Sequence, residues 1–543
     1  MCTTRNKKQF GENLARKTYM KKITKVHSLR MEDTMDKIWI LIAFAAYMLV
    51  MIGIGAKSMK KTNSSEDYFL GGRGLGGWVA ALSAQASDMS GWLLMGLPGA
   101  VYMLGTGQVW IAVGLFIGTV LNWLFVSARL RRYTIKAGNS LTLPQYFENR
   151  YKDKSRVLRV ASSLFIMIFF LVYTASAFSA GGKLFSSVFG IDYKVALTIG
   201  ATIILVYTFM GGFWAVCVTD FIQGLLMLVG LLFVPIAAYF LIGGWSEVNN
   251  AVTSQGLNAD TYFNFMYSGD SKMGVIDIIS QLGWALGYFG MPHILIRFMA
   301  VKSEKELKKS KSIAITWVAL SLAAACFIGM IGRAYLEPLA EGASENVYIE
   351  MILKMFKDDI PVMFIGGIFL CGILAAIMST ADSQLLVTAS SISEDLYKGV
   401  VNKDASDKKI LKISRITVIL VAIIAFVMAL DPNNSVMGLV SNAWAGFGAA
   451  FGPLVLCSIF WKRGNGVGAI ISMITGGLTV IVWDYIPLCN GQTLGAATGL
   501  YSLVVGFAIG LVGMIVGSLV TKAPSEDIMK EFDEVKNNIG FEK

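Results

Sequence analysis

Apolar residues fall in long runs along this chain, and short polar stretches separate them. Most runs are about 20 residues long, the length that an α-helix needs to cross a hydrocarbon core about 30 Å thick. The pattern predicts thirteen spanning helices, at 36–56, 75–104, 107–128, 157–182, 195–212, 214–244, 274–300, 313–336, 360–392, 412–430, 434–460, 466–486 and 498–521. We therefore expect an all-α polytopic membrane protein with one transmembrane domain over residues 36–521.

Lysine and arginine gather in alternate loops between these spans. Basic clusters follow the first, third, seventh, ninth and eleventh spans, whereas the intervening loops are neutral or acidic. Because cytoplasmic loops are enriched in basic residues, the alternation predicts an outside N-terminus and a cytoplasmic tail over 522–543. The basic segment 1–35 disagrees; it is either a disordered tail or lies upstream of a true start at Met31 or Met35.

The composition removes several classes of function. Hydrophobic residues make up 55% and charged residues only 15% of the chain, whereas soluble domains carry about 25% charged residues. The net charge of +11 is explained by cytoplasmic loops, so no nucleic-acid partner is expected. The six cysteines lack metal-ligand spacing and there are two histidines, which argues against a zinc site. No serine–histidine arrangement or Walker motif is present, which disfavours hydrolysis and ATP-driven transport. We expect no enzyme activity, no cofactor and no obligatory protein partner.

The second predicted span carries a polar cluster in its middle. Residues Ser83 to Trp92 read Ser-Ala-Gln-Ala-Ser-Asp-Met-Ser-Gly-Trp, so small residues and the acid Asp88 share one depth. An ionisable residue at that depth is costly and marks a functional site by default. The cluster predicts an unwound helix whose free carbonyls face a cavity. The alternative is close packing of small residues, with Asp88 paired to a basic residue elsewhere.

The ninth predicted span carries a second polar cluster, between Ala375 and Gln384. The adjacent hydroxyls of Ser379 and Thr380 suit a hard cation that takes oxygen ligands. Back-bonding to the carbonyl four residues earlier is an equal alternative. This long span is also predicted to be a broken helix. Asp382 either tunes cation affinity or pairs with an arginine such as Arg333.

The two clusters would meet if the core contained an inverted repeat. The second to sixth spans (about 75–244) and the seventh to eleventh (about 274–460) would form two five-helix units. An odd number of spans turns the second unit upside down, and a broken first helix then places the binding site near the bilayer midplane. A sodium ion would lie between carbonyls near Ala86 and Met89 and the hydroxyls of Ser379 and Thr380.

Several motifs resemble those of the bacterial sodium/proline symporters within the solute:sodium symporter family. The run Ser83–Pro98 is similar to their second-helix signature, and further similarity lies in Asp67–Arg73, Tyr207–Asp220, Gly283–Pro292 and Met378–Leu386. The resemblance implies a LeuT-like fold with a 5+5 inverted-repeat core. It also implies sodium-coupled uptake of L-proline across the bacterial cytoplasmic membrane by alternating access, with Na⁺ as the co-transported ion.

The resemblance assigns roles to individual residues. It implies that Na⁺ is held by the carbonyls of Ala86, Met89 and Ala376 and the side chains of Ser379 and Thr380, with Asp88 and Asp220 in support. Arg73 matches a loop arginine that affects coupling. The substrate pocket would use Asp88, Ser90, Gly91, Trp92, Tyr173, Trp284, Tyr288 and Pro292. For the aromatic residues the alternative is anchoring at the lipid interface, and His293 is expected to be a structural bystander.

Proline suits such a pocket because its compact apolar ring can be buried between aromatic walls. Its carboxylate can sit on the free N–H groups at the start of a half-helix. Three alternatives stay open at this stage. One is a symporter of the same family for a betaine, a sugar, sialic acid or pantothenate. The others are a sensor, which would need a cytoplasmic output domain, and a channel.

Overall fold

The computed structural model describes residues 33–58, 64–209, 212–340 and 342–539. Within these ranges, ten helices are long and apolar enough to cross a membrane, and three shorter apolar helices lie at Trp92–Leu104, Tyr193–Thr208 and Val275–Phe289. A short hairpin of β1 (Tyr267–Ser268) and β2 (Ser271–Lys272) is antiparallel.

Nineteen helices of eight residues or more follow one another along the described part of the chain. They are α1 (Asp33–Ser58), α2 (Gly77–Asp88), α3 (Trp92–Leu104), α4 (Thr106–Lys136), α5 (Leu143–Tyr151), α6 (Val157–Phe189), α7 (Tyr193–Thr208), α8 (Phe213–Ile242), α9 (Trp245–Ser254), α10 (Val275–Phe289), α11 (Pro292–Ala300), α12 (Glu304–Tyr335), α13 (Val347–Lys354), α14 (Met363–Val401), α15 (Asp407–Met428), α16 (Val436–Phe460), α17 (Gly466–Tyr485), α18 (Ser502–Leu519) and α19 (Glu526–Lys536). Shorter helices lie at Ser65–Leu70, Ala259–Tyr262 and Leu494–Thr498.

Helix ends follow local chemistry. The side chains of Asp192, Ser303 and Asn465 accept hydrogen bonds from free N–H groups at the starts of α7, α12 and α17. Gly190 ends α6 in the left-handed conformation that glycine tolerates. Polar residues extend α4 to Lys136 and start α12 at Glu304, beyond the apolar limits 107–128 and 313–336 that hydropathy marks. Hydropathy detects only the part of a helix that matches the lipid.

The predicted break in the second span is confirmed. The chain leaves α2 at Met89, where ψ is 76°, and re-enters a helix before Trp92. The predicted break in the ninth span is wrong, because α14 is helical from Met363 to Val401. It contains no glycine or proline from Ile373 to Lys398.

The second broken helix is the seventh span instead, where α10 gives way to α11 at Gly290 and Met291. Pro292 has no N–H to donate, and it disfavours the α conformation at the residue before it. The interruption therefore follows from the Gly-Met-Pro sequence.

The centre of the bundle is formed by α14 and α16, whose apolar segments are 83% and 89% buried. Helix α10 packs closely on α16, because a Cβ on Gly448 would lie 2.8 Å from the Cα of Gly287. Helices α2 and α6 pack on α14 as well. Both broken helices therefore lie against the most enclosed part of the protein.

The tail regions are partly described. Helix α1 begins by Asp33, inside the segment 1–35, while Met31 and the other residues before 33 lie outside the described residues. The predicted tail 522–543 contains helix α19.

Candidate functional site

The break after α2 frees backbone carbonyls. The N–H of Ser90 donates to the Asp88 carbonyl (2.9 Å) and not to Ala86, its partner in a regular helix. The N–H of Leu93 likewise donates to Ser90 (3.0 Å) and not to Met89. The carbonyls of Ala86 and Met89 are thus left without their regular helical partners, as the sequence predicts.

Helix α14 brings hydroxyls to one of these carbonyls. The Ser379 hydroxyl donates to the Ala86 carbonyl oxygen at 2.7 Å, and the Thr380 hydroxyl lies 3.4 Å from the same oxygen. Ser379 also reaches the Ala376 carbonyl at 3.3 Å. Four of the five predicted sodium ligands therefore form one buried cluster of oxygen atoms, the kind of donor that a hard cation takes. The fifth, Met89, lies three residues further along the unwound segment.

Asp88 organises the other side of the break. Its Oδ2 accepts a hydrogen bond from the Tyr288 hydroxyl at 2.7 Å, and its backbone carbonyl accepts from the Trp92 indole (2.9 Å) and the Tyr173 hydroxyl (3.4 Å). Its Oδ1 is buried without a hydrogen-bond partner among the described residues. A basic partner for Asp88 is not found in the described chain, so the close-packing alternative loses that support.

Several of the predicted pocket residues contact this segment, and the others lie at the second break or beside Tyr288. Gly91 lies against α6, and a Cβ built there would stand 2.8 Å from the Ala180 Cβ. Pro292 begins α11 directly after the second break. The side chains of Trp92, Tyr173, Trp284 and Tyr288 are buried, which excludes lipid-interface anchoring for these four.

An aromatic wall extends from Tyr288. Trp444 lies edge-on to Tyr288 with ring centroids 5.0 Å apart, and its indole donates to the Trp284 carbonyl at 2.9 Å. Trp284 in turn stacks on Tyr501 at 5.4 Å. Sequence reasoning missed Trp444 and Tyr501 because neither stands in a polar cluster. Only their place in the fold brings them to the site.

A buried ionic cluster lies one helical turn from the oxygen cluster. Arg297 contacts Asp220 at 3.3 Å and donates to the hydroxyls of Ser383 (2.6 Å) and Ser83 (3.2 Å). Ser83 also donates to Asp220 at 2.7 Å. Through Ser83, Asp220 therefore contacts α2 three residues before Ala86. An arginine inside the apolar run of α11 was the signal that could have revealed Arg297.

The suggested pairing of Asp382 with Arg333 is wrong. Arg333 lies over the ring of Tyr102 at 4.8 Å, while Asp382 contacts Ser383 (3.4 Å) beside the Arg297 cluster. His293 is fully buried against Phe170 and Tyr173, with no hydrogen-bond partner on either ring nitrogen among the described residues.

Arg73 joins two elements on one face of the bundle. Its guanidinium donates to the carbonyls of Met299 (2.7 Å) and Ser140 (2.9 Å) and to the Asn139 side chain (2.9 Å). Burial and the neighbouring Arg131 lower the pKa of Arg73 to about 10, so it stays charged at neutral pH. The end of α11 is thereby fastened to the end of α4.

The opposite face opens into a cavity of about 890 Å³. Its lining includes Gln108, Lys183, Glu345 and Trp284, so the cavity reaches the aromatic wall. The Glu345 carboxylate accepts from Lys183 (2.6 Å), Ser435 (2.8 Å) and the backbone N–H groups of Val436 and Met437 (both 3.1 Å). Burial opposes ionisation of Glu345, but Lys183 and these N–H groups outweigh it and lower its pKa.

Comparison with known proteins matches this chain to one family of transporters. The sodium:solute symporter family model matches residues 68–476. The sodium/proline symporter of Escherichia coli (strain K12) is 45% identical over 91% of this chain and 95% of that protein. The high-affinity proline transporter PutP of Bacillus subtilis (strain 168) is 44% identical over 90% of this chain and 100% of that protein. The osmoregulated proline transporter OpuE of the same species is 42% identical over 90% of this chain and 96% of that protein.

Two solved structures share the fold. A Na⁺-coupled sialic acid symporter in a substrate-bound outward-open state superposes with a TM-score of 0.71 at 20% identity, over 90% of this chain and 99% of that one. The nucleobase-cation-symport-1 transporter Mhp1, in a closed conformation, superposes with a TM-score of 0.50 at 12% identity, over 86% of this chain and 98% of that one.

Broken helices around buried oxygen atoms, in a bundle of this fold, define an ion-coupled multi-pass membrane transporter. The chain belongs to the sodium:solute symporter family.

Proposed function

We propose that this protein takes up L-proline together with Na⁺ across a bacterial cytoplasmic membrane, as a transporter and not as an enzyme. One observation carries the proposal. Asp88 holds Tyr288 of the aromatic wall, and it lies two residues from Ala86, whose carbonyl contacts Ser379. A cation and a small solute would therefore be bound by the same unwound segment. Relatives named for proline, at 42–45% identity along nearly the whole chain, favour proline as that solute.

Na⁺ would bind at the oxygen cluster. The carbonyls of Ala86, Met89 and Ala376 and the hydroxyls of Ser379 and Thr380 supply five oxygen ligands. The ion would replace the hydrogen bond from Ser379 to Ala86, since the hydroxyl can turn its lone pair toward the cation. Asp88 and Asp220 add negative charge near the ion, which offsets the cost of taking it out of water.

Proline would bind between the break and the aromatic wall. Its carboxylate would face the N–H groups of Gly91 and Trp92, where the dipole of α3 is positive. The Trp92 N–H makes a long contact of 3.4 Å with the Ser90 hydroxyl, which the carboxylate would replace. The unpartnered Oδ1 of Asp88 would accept from the proline ammonium. Tyr173, Trp284 and Tyr288 would enclose the ring, with Ser90 and Pro292 at the two breaks.

The membrane topology follows from the same elements. We infer thirteen crossings with the N-terminus outside and the C-terminus in the cytoplasm. The basic loops after the first, third, seventh, ninth and eleventh spans favour this orientation. The broken helices α2/α3 and α10/α11 each begin one five-helix unit, which supports an inverted repeat over about 75–244 and 274–460.

In the transport cycle, Na⁺ entering from the Glu345 face would order the unwound segment, and proline would then dock. The loaded protein would close that face and open the face held by Arg73. Coupling requires that each ligand raise the affinity for the other by the same factor. The cycle needs Na⁺ and proline in a lipid bilayer, with no nucleic acid and no further protein.

Uptake of radiolabelled proline into proteoliposomes under an imposed sodium gradient tests the proposal. We expect accumulation that disappears when potassium replaces sodium on both sides. Unlabelled betaine, sugars, sialic acid and pantothenate should compete poorly with the label. Accumulation that persists in potassium would refute sodium coupling, and strong competition by one of these solutes would reassign the substrate.

A further inference from the structure

The C-terminal helix α19 is amphipathic and acidic. Its apolar side chains Ile528, Phe532 and Val535 are buried. The helix also carries five acids and only two lysines. Such a helix needs a surface that is apolar in the middle and basic at the rim.

Basic residues from three separate elements supply that rim. Lys136 at the end of α4 pairs with Glu534 at 2.6 Å, and Lys152 just after α5 pairs with Glu531 at 3.2 Å. Lys462, two residues after α16, pairs with Asp533 at 2.5 Å. All three lysines are 40% or more exposed, so solvent ions can reach these pairs.

Arg150 of α5 marks the apolar centre of the contact. Its guanidinium lies over the rings of Tyr133 (4.7 Å), Tyr151 (4.9 Å) and Phe532 (5.6 Å). Its Nε donates to the Ser458 carbonyl of α16 at 2.9 Å. Phe532 thus closes a box of aromatic rings around a buried cation, and α19 is held by packing as well as by charge.

The same end of α4 also contacts the end of α11, the helix that begins at Pro292. Arg73 joins Met299 to the α4 end, and Arg131 of α4 donates to the carbonyls of Val301 (2.7 Å) and Lys302 (2.8 Å). Two movements would separate these elements: the end of α11 could leave α4, or α4 could move away from α5 and α16. Helix α19 resists the second movement because it bridges all three elements.

We propose that α19 is an ionic strap that restrains opening of the cytoplasmic face, and that rising ionic strength in the cytoplasm releases it. This inference rests on the proposed transport cycle. Exposed ion pairs are screened by salt, since the Debye length falls from roughly 10 Å at 0.1 M to roughly 3 Å at 1 M. Transport would therefore speed up when the cytoplasm becomes concentrated.

A distance measurement tests the strap without relying on transport. Spin labels would be placed at the exposed positions Lys530 and Lys154 in full-length protein, with Cys2 and Cys489 replaced by serine. We expect one narrow distance distribution in about 0.1 M KCl and a broad, longer component in about 1 M KCl, as the strap detaches. Sucrose at equal osmolality should leave the narrow distribution in place. A distance distribution that stays the same at both KCl concentrations would overturn the proposal.

Uptake measurements with charge variants test the consequence. With the same KCl concentration on both sides, sodium-driven uptake should rise about three-fold between about 0.1 M and 1 M KCl. Uptake by E534K and by K136E should already be fast at low salt and should change little with the KCl concentration. The swap K136E/E534K should restore the salt response, because the pair is rebuilt with reversed charge. Equal salt responses in all four proteins would contradict the strap.

The two tests separate failure of the strap from failure of the proposed function. If the labels separate in KCl but no proline enters the vesicles, the strap holds and the substrate assignment fails. If proline enters at the same rate in every variant, the substrate assignment holds and the strap fails.

Discussion

The Ser379 hydroxyl lies 2.7 Å from the Ala86 carbonyl oxygen, although 293 positions separate the two residues in the chain. One atom belongs to an intact helix and the other to the last regular turn before a break. An ion placed between them would join two parts of the protein that no local sequence connects. The consequences can be tested residue by residue.

Removing a hydroxyl from the oxygen cluster should weaken sodium activation. We expect Ser379→Ala and Thr380→Ala to raise the sodium concentration for half-maximal proline uptake by about ten- to one-hundred-fold, since a bond to a charged group contributes about 1.5–3 kcal/mol. The matched control is Ser393→Ala on the same helix, where the hydroxyl bonds back to Ala389 at 2.7 Å. Equal sodium dependence in all three variants would remove these hydroxyls from the ion site.

Tyr288→Phe should impair proline binding more than sodium binding. The substitution removes the hydroxyl that donates to Asp88 and leaves Oδ2 without that partner. A buried acceptor left unpaired costs about 1–3 kcal/mol, so KM for proline should rise roughly ten-fold. Tyr262→Phe is the control, because its hydroxyl donates only to backbone carbonyls, at 3.1 and 3.2 Å. An unchanged KM in Tyr288→Phe would show that the Asp88 contact does not shape the pocket.

Gly91→Ala should abolish uptake while the protein still folds. The new methyl group would stand 2.8 Å from the Ala180 Cβ, closer than two carbons pack. Overpacking costs about 1–3 kcal/mol. Adding Ala180→Gly should restore part of the uptake, and Gly53→Ala, with nothing within 4 Å, should have no effect. If uptake by the double variant stays as low as in Gly91→Ala, crowding against α6 is not the cause.

Glu345→Gln should destabilise the protein at neutral pH. The variant loses the charge that pairs with Lys183 and caps α16, which we expect to cost about 1–3 kcal/mol. Because the pKa of Glu345 is lowered from 4.5, its charge stabilises the fold above that value and the contribution is lost as pH falls through the lowered pKa. The difference in Tm from the parent should therefore be constant between about pH 6 and 8 and shrink in acid.

Glu350→Gln is the matched control for this pH dependence. Burial raises the pKa of Glu350, so its ionised form is disfavoured in the folded protein. The substitution should leave Tm at pH 7 unchanged or raise it. A similar loss of Tm in both variants would mean that the bonds to Lys183 and α16 are not the source of the effect.

The buried pair of Asp220 and Arg297 should behave as a unit. Asp220→Asn or Arg297→Gln alone leaves one buried charge with less compensation, and breaking a buried pair costs about 3–5 kcal/mol. The double variant should be less destabilised than the sum of the two single variants. Tm values of the parent, the two single variants and the double variant give this double-mutant cycle. Strict additivity would show that the contact at 3.3 Å carries no coupling.

The local part of this candidate site could be predicted from the sequence, but the part formed by contacts between distant residues could not. Asp88 and the small residues around it predict the break in the second span because polar groups in lipid need internal partners. The polar cluster of α14 did not indicate whether its helix is broken or continuous, and the prediction of a break there is wrong. Arg297 was overlooked as one charge in an apolar run. The aromatic contact of Trp444 exists only once α10 and α16 pack.

Helix α14 has one more consequence. From Ser379 it runs without glycine or proline to Asp395, about 24 Å away at 1.5 Å per residue. There Asp395 accepts from Thr142 at 2.7 Å and from Arg159 at 3.2 Å, far from the proposed ion site. The winding of α14 widens from Ser391 onward, but the helix is not interrupted. A continuous helix transmits a tilt along its length, so a small displacement beside Ala86 would become a larger displacement at these two contacts.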